Sequence, residues 1–158
     1  MTKKIKFIAN LIPKKLHNLI IDVGCDHGYL GILLLQQNKV KHVLNIDNKT
    51  QPLQSAIKNT HKYGLEKQIT NQLNEGLKNL KIPQSPDLIV MAGIGTKTII
   101  KVLNDDQVSN SKTKFIFQSE GCLKELVDYL INHNFVINDL VTMYDHDNSF
   151  IFLIAKKK

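Results

Sequence analysis

Acidic residues and glycines follow three predicted strands at the points where the strands end. The segment Asp22-Val-Gly-Cys-Asp-His-Gly-Tyr-Leu30 leads from the first strand into a helix, Asp47 ends the second strand, and Asn74-Glu75-Gly76 follows the third. Ligands of doubly wound sheets bind at the carboxyl ends of the strands. Carboxylates beside a tight glycine turn suit a ligand with a cationic amino-acid end and no phosphate. S-adenosylmethionine has this chemistry, and we expect its site here.

A dinucleotide fits the first of these segments less well. A dinucleotide fingerprint that begins at Gly24 requires glycines at positions 26 and 29, where Asp26 and Tyr29 stand. Asp22 and Asp26 would also repel a pyrophosphate. The pattern therefore favours a methyl donor over a nicotinamide cofactor, although a tight turn without any ligand would also use Gly24 and Gly28.

Each strand end has an expected role in binding that donor. Asp22 and Asp26 can meet its ammonium group, and Gly24 lets the backbone approach. Asp47 can accept both ribose hydroxyls, unless it caps the helix that follows. A carboxylate or amide in Asn74-Glu75-Gly76 can meet the adenine amino group, unless this segment is only a polar turn.

A fourth predicted strand ends in Met91-Ala-Gly-Ile-Gly-Thr96, next to the expected position of the transferred methyl group. Enzymes that methylate the exocyclic amino groups of bases usually have Asn/Asp-Pro-Pro-aromatic at this point, where it holds the amine. The present segment has neither an acceptor side chain nor an aromatic platform. It therefore favours a methyl acceptor with its own lone pair, such as a ring nitrogen.

Strand and helix patterns alternate along the chain and position these segments. The alternation predicts an α/β fold with a doubly wound, mostly parallel sheet. The last two strands are joined by Tyr144–Asn148, which is too short for a helix, so we expect a seven-stranded, Rossmann-like class I methyltransferase fold with a terminal antiparallel hairpin and an N-terminal helix. The predicted helices are 3–12, 29–36, 52–63, 96–103 and 123–133, and the predicted strands are 18–23, 40–47, 67–73, 88–92, 114–118, 135–143 and 149–155.

Composition and charge limit the class of protein. The 158 residues are 42% hydrophobic and 22% charged, as in an ordinary globular domain, and no apolar run is long enough to span a bilayer. Cys25 and Cys122 lack the spacing of a disulfide framework or a zinc site, so we expect a cytoplasmic, metal-free protein. We also expect a monomer without membrane contact. The net charge of +7, in which lysine is the only cation, suits a polyanion recognised through its backbone and shape.

Several segments together resemble the TrmK family. They are Asp22-Val-Gly-Cys-Asp-His-Gly-Tyr-Leu30, Asp47 with Pro52 and Ser55-Ala56, Glu75-Gly76-Leu77, Met91-Ala-Gly-Ile-Gly95, the first helix ending in Ile12-Pro13, and the closing hairpin. The members of this family are bacterial tRNA (adenine-22-N1)-methyltransferases. The resemblance implies a single S-adenosylmethionine-dependent methyltransferase domain over residues 1–158, acting on tRNA and lacking the helical C-terminal domain usual in the family.

The resemblance also implies roles for individual residues. Three are implied near the reacting atoms: Asp26, His27 and Tyr29. Those implied to bind S-adenosylmethionine and its product S-adenosylhomocysteine are Asp22, Gly24, Cys25, Asp26, His27, Gly28, Asp47, Asn48, Asn74, Glu75, Gly76, Met91, Ala92 and Gly93. Those implied to contact the target base are Tyr29, Ile94, Gly95 and Gln118, and Met91, Ala92 and Gly93 are also implied to face it. The sequence departs from the family at Gln118-Ser-Glu120, where Gln-Pro-Asn is usual.

These assignments predict a mechanism for methylation of adenine N1. The N1 atom has an in-plane lone pair, so its attack on the sulfonium methyl group requires alignment more than a strong base. The nucleotide must be unpaired or flipped, because N1 lies on the Watson–Crick edge. We expect Tyr29 to orient the base and Asp26 or His27 to take up the proton released from N6. Alternatively, His27 only orders the turn and Tyr29 only packs in the helix core.

Lysines around the first helix are the best candidates for contacts with RNA. We expect Lys4, Lys14 and Lys15 to lie close to the rim of the active site. Asp145-His146-Asp147 is interpreted as a solvated hairpin tip and not as a metal site. The sequence is also compatible with two other functions. One is methyl transfer to another RNA site, a small molecule or a protein, and the other is that of a non-catalytic cofactor-binding module.

Overall fold

The computed structural model describes residues 1–158 and contains five helices and seven strands in the predicted order. The helices are α1 Lys3–Leu11, α2 Tyr29–Gln36, α3 Thr50–Lys62, α4 Thr96–Asn104 and α5 Leu123–Asn132. The strands are β1 His17–Val23, β2 Val40–Asp47, β3 Ile69–Leu73, β4 Leu88–Ile94, β5 Lys114–Ser119, β6 Phe135–Asp145 and β7 Asn148–Lys157. None of these helices combines the length and the apolar character needed to cross a membrane.

The seven strands form one mixed sheet with the order β3-β2-β1-β4-β5-β7-β6. Strands β1, β2 and β3 pair in parallel, as do β4 and β5, whereas β7 is antiparallel to both β5 and β6. The predicted fold, a mostly parallel seven-stranded sheet with a terminal antiparallel hairpin and an N-terminal helix, is confirmed.

The main differences from the predicted elements lie at turns. The prediction of a five-residue connection, Tyr144–Asn148, is wrong, because β6 extends to Asp145 and β7 begins at Asn148. Only two residues remain in the turn, and His146 has a φ of 54°, as tight hairpin turns require. Helix α3 begins two residues before Pro52, since a proline in the first turn of a helix forfeits no hydrogen bond.

The chain divides into two compact units, Met1–Gly76 and Leu77–Lys158. In the first unit, fully buried aliphatic side chains of β1, β2 and α2 form the core. They are Ile20, Ile21, Ile32, Leu34 and Ile46, and burying each such side chain contributes roughly 1.5–3 kcal/mol. Helix α2 packs very closely on β2 at Gly31, where an added Cβ would lie 2.9 Å from Val43 Cγ1.

Aromatic packing organises the second unit. The rings of Phe115 and Phe117 on β5 stack with centroids 5.5 Å apart, and Phe135 of β6 packs edge-on against Phe115 at 5.3 Å. This unit also contains a part-buried ion pair, in which Lys157 Nζ lies 2.8 Å from the Asp106 carboxylate. Burial alone would raise the pKa of Asp106, but hydrogen bonds from Lys157, Ser109 and the backbone lower it.

Candidate active site

The loop that follows β1 is held by backbone hydrogen bonds to the end of β2. The N–H groups of Gly24 and Cys25 both donate to the Ile46 carbonyl oxygen, at 2.8 and 3.0 Å. Gly24 and Gly28 both have φ values of 73°. An added Cβ at Gly28 would also lie 3.0 Å from Ala56 Cβ. The loop conformation therefore requires glycine at position 28 whether or not a ligand is bound.

Asp47 connects this loop to the one after β2. Its carboxylate is buried, and one oxygen accepts a hydrogen bond from the Asp26 N–H at 3.2 Å while the other accepts from the Lys49 N–H at 2.9 Å. The N-cap of α3 is Lys49, so the alternative in which Asp47 caps this helix is wrong. Each carboxylate oxygen keeps a further lone pair, which allows the predicted contact with two ribose hydroxyls.

Asp22 is the most electrostatically perturbed carboxylate of this cluster. Only 7% of the residue is exposed. Burial, followed by the charges of Asp47 and Asp26, raises the pKa of Asp22 to about 7. Both charged neighbours that shift it are acidic, so a ligand with a positive charge would relieve the repulsion. This electrostatic arrangement suits an ammonium or sulfonium group and disfavours a phosphate.

Cys25 contributes an apolar side chain beneath the loop. It is buried with Leu53 and Ala56 of α3. Burial, reinforced by the nearby carboxylates, raises the pKa of the Cys25 thiol well above its usual range. The side chain therefore remains an uncharged thiol that packs the loop against α3, and its predicted contact with the cofactor stays a prediction.

Asp26 and His27 have exposed side chains on the loop after β1, and the half-buried Tyr29 follows as the first residue of α2. The side chains of Asp26 and His27 are 69% and 53% exposed, and Asp26 Oδ2 lies 3.6 Å from His27 Nε2. The His27 and Tyr29 rings are 6.1 Å apart. The His27 carbonyl oxygen accepts a hydrogen bond from Asn59 Nδ2 at 2.9 Å. The backbone of His27 secures the turn, and its half-exposed ring is accessible to a ligand.

A cavity of about 490 Å³ lies where β2 and β3 end and is lined by Asn48, Leu73, Asn74 and Glu75. The Asn74 N–H donates to the Asp47 carbonyl oxygen at 3.0 Å, and Asn74 Nδ2 donates to the Gly76 carbonyl oxygen at 2.7 Å. Leu73 is 54% exposed. Sequence reasoning missed Leu73, although an apolar side chain beside Asn74 and Glu75 could have indicated a wall for a flat base.

In the second unit, the end of β4 contains a bulge at Gly93. Gly93 has a φ of 72°, and the pairing of β4 with β5 shifts between Ala92 and Ile94. The Gly93 N–H donates to Gln118 Oε1 at 2.9 Å, and Gln118 Nε2 donates to the Ser119 carbonyl oxygen at 3.1 Å. Gln118 is only 2% exposed. It therefore holds the bulge in place, and its direct contact with substrate stays a prediction.

Gly95 differs from Gly28 because nothing in the backbone requires a glycine there. It is the N-cap of α4 with a φ of −64°, and an added Cβ would meet no atom within 4 Å. The next residue, Thr96, is buried and its hydroxyl contacts the Ser119 hydroxyl and donates to the Cys122 carbonyl oxygen at 3.0 Å. These contacts, which sequence reasoning missed, fix the turn and leave the space at Gly95 open.

A second cavity of about 330 Å³ lies wholly within this second unit. It is formed by the loop after β5 and the start of β7, and its lining residues are Gln118, Ser119, Glu120, Gly121, Leu123, Asn148, Ser149, Phe150 and Ile151. The side chains are mostly uncharged. Apart from Gln118, none of these residues was a predicted site residue.

The predicted lysine positions require a correction. Lys14 and Lys15 precede β1, whereas Asp22 lies near its carboxyl end. A strand of seven residues spans about 20 Å, so Lys14 and Lys15 lie at the opposite edge of the parallel strands and not at the rim of the site. Lys4 lies in the first turn of α1. No group of three His, Cys, Asp or Glu side chains in residues 1–158 is arranged to hold a metal ion.

Comparisons with known proteins agree with this geometry. A family profile described as a methyltransferase domain matches residues 1–153. The Mycoplasma genitalium protein MG248, provisionally named a tRNA methyltransferase, is 31% identical over 99% of this chain and 70% of its own length.

Two solved structures are also similar. That of M. capricolum TrmK with S-adenosylhomocysteine has a TM-score of 0.88 and 30% identity over 100% of this chain and 69% of that one. That of the B. subtilis M1A22 tRNA methyltransferase TrmK has a TM-score of 0.90 and 23% identity over 100% of this chain and 67% of that one. With its methyltransferase domain and its identity to MG248 and to M. capricolum TrmK, the chain belongs to the TrmK family of methyltransferases.

Proposed function

We propose that this chain transfers the methyl group of S-adenosylmethionine to N1 of adenine 22 in bacterial tRNA. The observation that carries the proposal is the buried Asp22 carboxylate beside Asp47 and Asp26, a cluster of negative charge that a cationic methyl donor compensates. The tRNA substrate is supported by relatives named as tRNA methyltransferases, among them the B. subtilis enzyme named for adenine 22.

Residues of the first unit bind the donor in this proposal. Asp22 pairs with the ammonium group, and Gly24 lets the loop backbone approach the methionine end. Asp47 accepts the ribose hydroxyls with the lone pairs that its two backbone contacts leave free. Leu73 packs on the adenine face, and Asn74 and Glu75 meet the adenine edge. When bound, S-adenosylmethionine supplies an electrophilic sulfonium methyl group.

The acceptor base is positioned by accessible side chains and by the turn after β4. Tyr29 orients the base, and the open space at Gly95 allows its close approach. Because the N1 lone pair is nucleophilic without deprotonation, orientation supplies most of the rate. Methylated N1 makes the N6 amino group acidic, and Asp26 or His27 takes up the proton that it releases. Since N1 lies on the Watson–Crick edge, adenine 22 must be unpaired or flipped when it reacts.

The direct test is transfer of a labelled methyl group to an unmodified tRNA transcript. A transcript with adenine at position 22 is compared with one that carries guanine there. We expect label only in the adenine transcript, recovered as 1-methyladenosine. Label in both transcripts would contradict the assigned position. Absence of label despite thermal stabilisation by S-adenosylhomocysteine would contradict the tRNA substrate while supporting the cofactor site.

We also propose that the chain acts as a monomer in the cytoplasm. A tRNA substrate supports the cytoplasmic location. Size-exclusion chromatography with light scattering tests the oligomeric state, and a mass of about 36 kDa, twice the 18.0 kDa of one chain, would contradict the monomer.

A further inference from the structure

The positive charge of this chain is concentrated in its first unit. Met1–Gly76 has 11 lysines and five acidic residues, whereas Leu77–Lys158 has ten lysines and nine acidic residues. The first unit therefore accounts for +6 of the net charge of +7. Four of its five acidic residues lie at or directly after the carboxyl ends of β1, β2 and β3, where the cofactor site is proposed: Asp22, Asp26, Asp47 and Glu75.

The opposite edge of these strands carries a cluster of lysines, which we call the amino-edge cluster. It consists of Lys14, Lys15, Lys41, Lys62 and Lys67, all of which are exposed. Lys14 and Lys15 precede β1, Lys41 is the second residue of β2, and Lys67 precedes β3 by two residues, while Lys62 is the last residue of α3. Residues at the amino ends of parallel strands lie at one edge of a sheet, and the end of α3 lies there too, because the chain returns from it through residues 63–68 to the start of β3.

Strand register shows how near these lysines are to one another. His17 pairs with Val40 and Val43 pairs with Ile69, so the segments that hold Lys15, Lys41 and Lys67 are neighbours. Adjacent strands lie about 4.8 Å apart, so β1 and β3 are separated by roughly 10 Å, which is less than two Debye lengths at physiological salt.

The surroundings of the cluster do not neutralise it. Within the first unit, Glu66 is the only acidic residue at this edge, and it contacts His61. Lys39 adds to the positive charge; it is buried and donates to the Ala9 carbonyl oxygen at 2.6 Å. Burial, followed by the charge of the neighbouring Lys14, lowers the pKa of Lys39.

We infer that the amino-edge cluster binds the phosphate backbone of the tRNA substrate, at a distance from the reacting base. The cluster is separated from Asp22 by the length of β1, about 20 Å. A small methyl acceptor cannot reach both places, whereas a folded RNA can. The inference rests on the proposed function, because it takes the polyanion to be the tRNA whose base is methylated. Lysine contacts to phosphate release counterions and give affinity without reading sequence.

The test is the salt dependence of tRNA binding by the full chain. Lys41, Lys62 and Lys67 are replaced by glutamine together, and binding to an unmodified tRNA transcript is measured by filter binding between about 50 and 200 mM salt. Each phosphate contact that is lost lowers the slope of log affinity against log salt by roughly one. We expect a slope lower by about two to three and a KM for tRNA raised on the order of tenfold, with an unchanged KM for S-adenosylmethionine.

A matched variant separates a local contact from a general effect of charge. Lys112, Lys114 and Lys156 are exposed lysines of the second unit, and Lys114 pairs with Lys156 across β5 and β7. Their replacement by glutamine changes the net charge by the same amount as in the first variant. If the slope of log affinity against log salt changes less in this control than in the first variant, the inference is supported. An equal change of the slope in both variants overturns it, as does an unchanged slope in the first variant.

The assay also distinguishes failure of the inference from failure of the proposed function. Methylation of the adenine-22 transcript by the wild-type chain is measured in parallel. If methylation occurs and the slope of the first variant is unchanged, only the inference fails. If the slope falls and no tRNA is methylated, the cluster binds RNA phosphate and the proposed reaction is wrong.

Discussion

The carboxylate of Asp47 accepts a hydrogen bond from the backbone N–H of Asp26, at 3.2 Å. This contact joins the end of β2 to the loop after β1, two segments that are 21 residues apart in sequence. Asp47 therefore has a structural role in addition to its proposed contact with the ribose. The groups proposed to bind the ribose and the methionine end are coupled through this hydrogen bond.

Replacing Asp47 by asparagine should weaken cofactor binding. The asparagine oxygen can accept only one of the two backbone hydrogen bonds, and its NH2 group would face the other N–H donor. Loss of a buried hydrogen bond to a charged group costs about 1.5–3 kcal/mol, so we expect the Kd for S-adenosylhomocysteine to rise at least tenfold in isothermal titration calorimetry. Glu66→Gln, a change of the same type at an exposed site, is the control and should leave the Kd unchanged.

The buried carboxylate of Asp22 should make the folded chain less stable as pH rises. Its folded pKa of about 7 exceeds the ordinary value of 3.8, so between these values the folded state binds more protons than the unfolded state. The free energy of unfolding therefore falls as pH rises from about 4 to 7. Asp22→Asn removes this loss, and the variant should be more stable than wild type at pH 8 by about 1–4 kcal/mol. Urea denaturation over this range checks the slope, and a wild-type stability that rises with pH would contradict it.

Binding of S-adenosylhomocysteine should have the opposite pH dependence. Its ammonium group favours the ionised form of Asp22, so binding lowers the pKa of this residue and releases a proton when the free protein is protonated. We expect the affinity to increase with pH up to about 7 and then level off. Calorimetry in two buffers of different ionisation enthalpy measures the released proton. Asp22→Asn should release none, and equal proton release by the variant would rule out Asp22 as its source.

Much of this site could be predicted from the sequence because strand ends are local features. A strand pattern locates its own carboxyl end, and the acidic residues after β1, β2 and β3 could be found in this way. Contacts between residues far apart in the sequence could not be predicted in this way. Thr96 contacts Ser119 across 23 positions, and Gln118 turned out to be buried because its amide pairs with Gly93. Lys14 and Lys15 were misplaced because clustering in sequence with the first helix does not reveal the edge of the sheet at which they lie.

Replacement by alanine should have different effects on stability at the two glycines, Gly28 and Gly95. Gly28→Ala places a side chain at a positive φ and within 3.0 Å of Ala56 Cβ, so we expect about 1–3 kcal/mol of destabilisation. Gly95→Ala meets no atom and should keep the Tm of the wild type, yet its methyl group fills space that the base is proposed to enter. Thermal denaturation with tRNA methylation kinetics checks both, and full turnover by Gly95→Ala would contradict close approach at this position.

Substitutions at Asp26 and His27 should lower turnover without disturbing the loop. Asn is suited to the φ of 50° at position 26 and keeps the N–H that Asp47 accepts. His27→Ala keeps the carbonyl oxygen that accepts from Asn59. If either side chain takes up the N6 proton, kcat with saturating S-adenosylmethionine should fall by roughly 10²-fold in the corresponding variant, and its pH profile should change shape. The Kd for S-adenosylhomocysteine of His27→Ala is the control, since an unchanged value separates proton transfer from cofactor binding. Full turnover by both variants would mean that neither side chain accepts the proton and that solvent takes it instead.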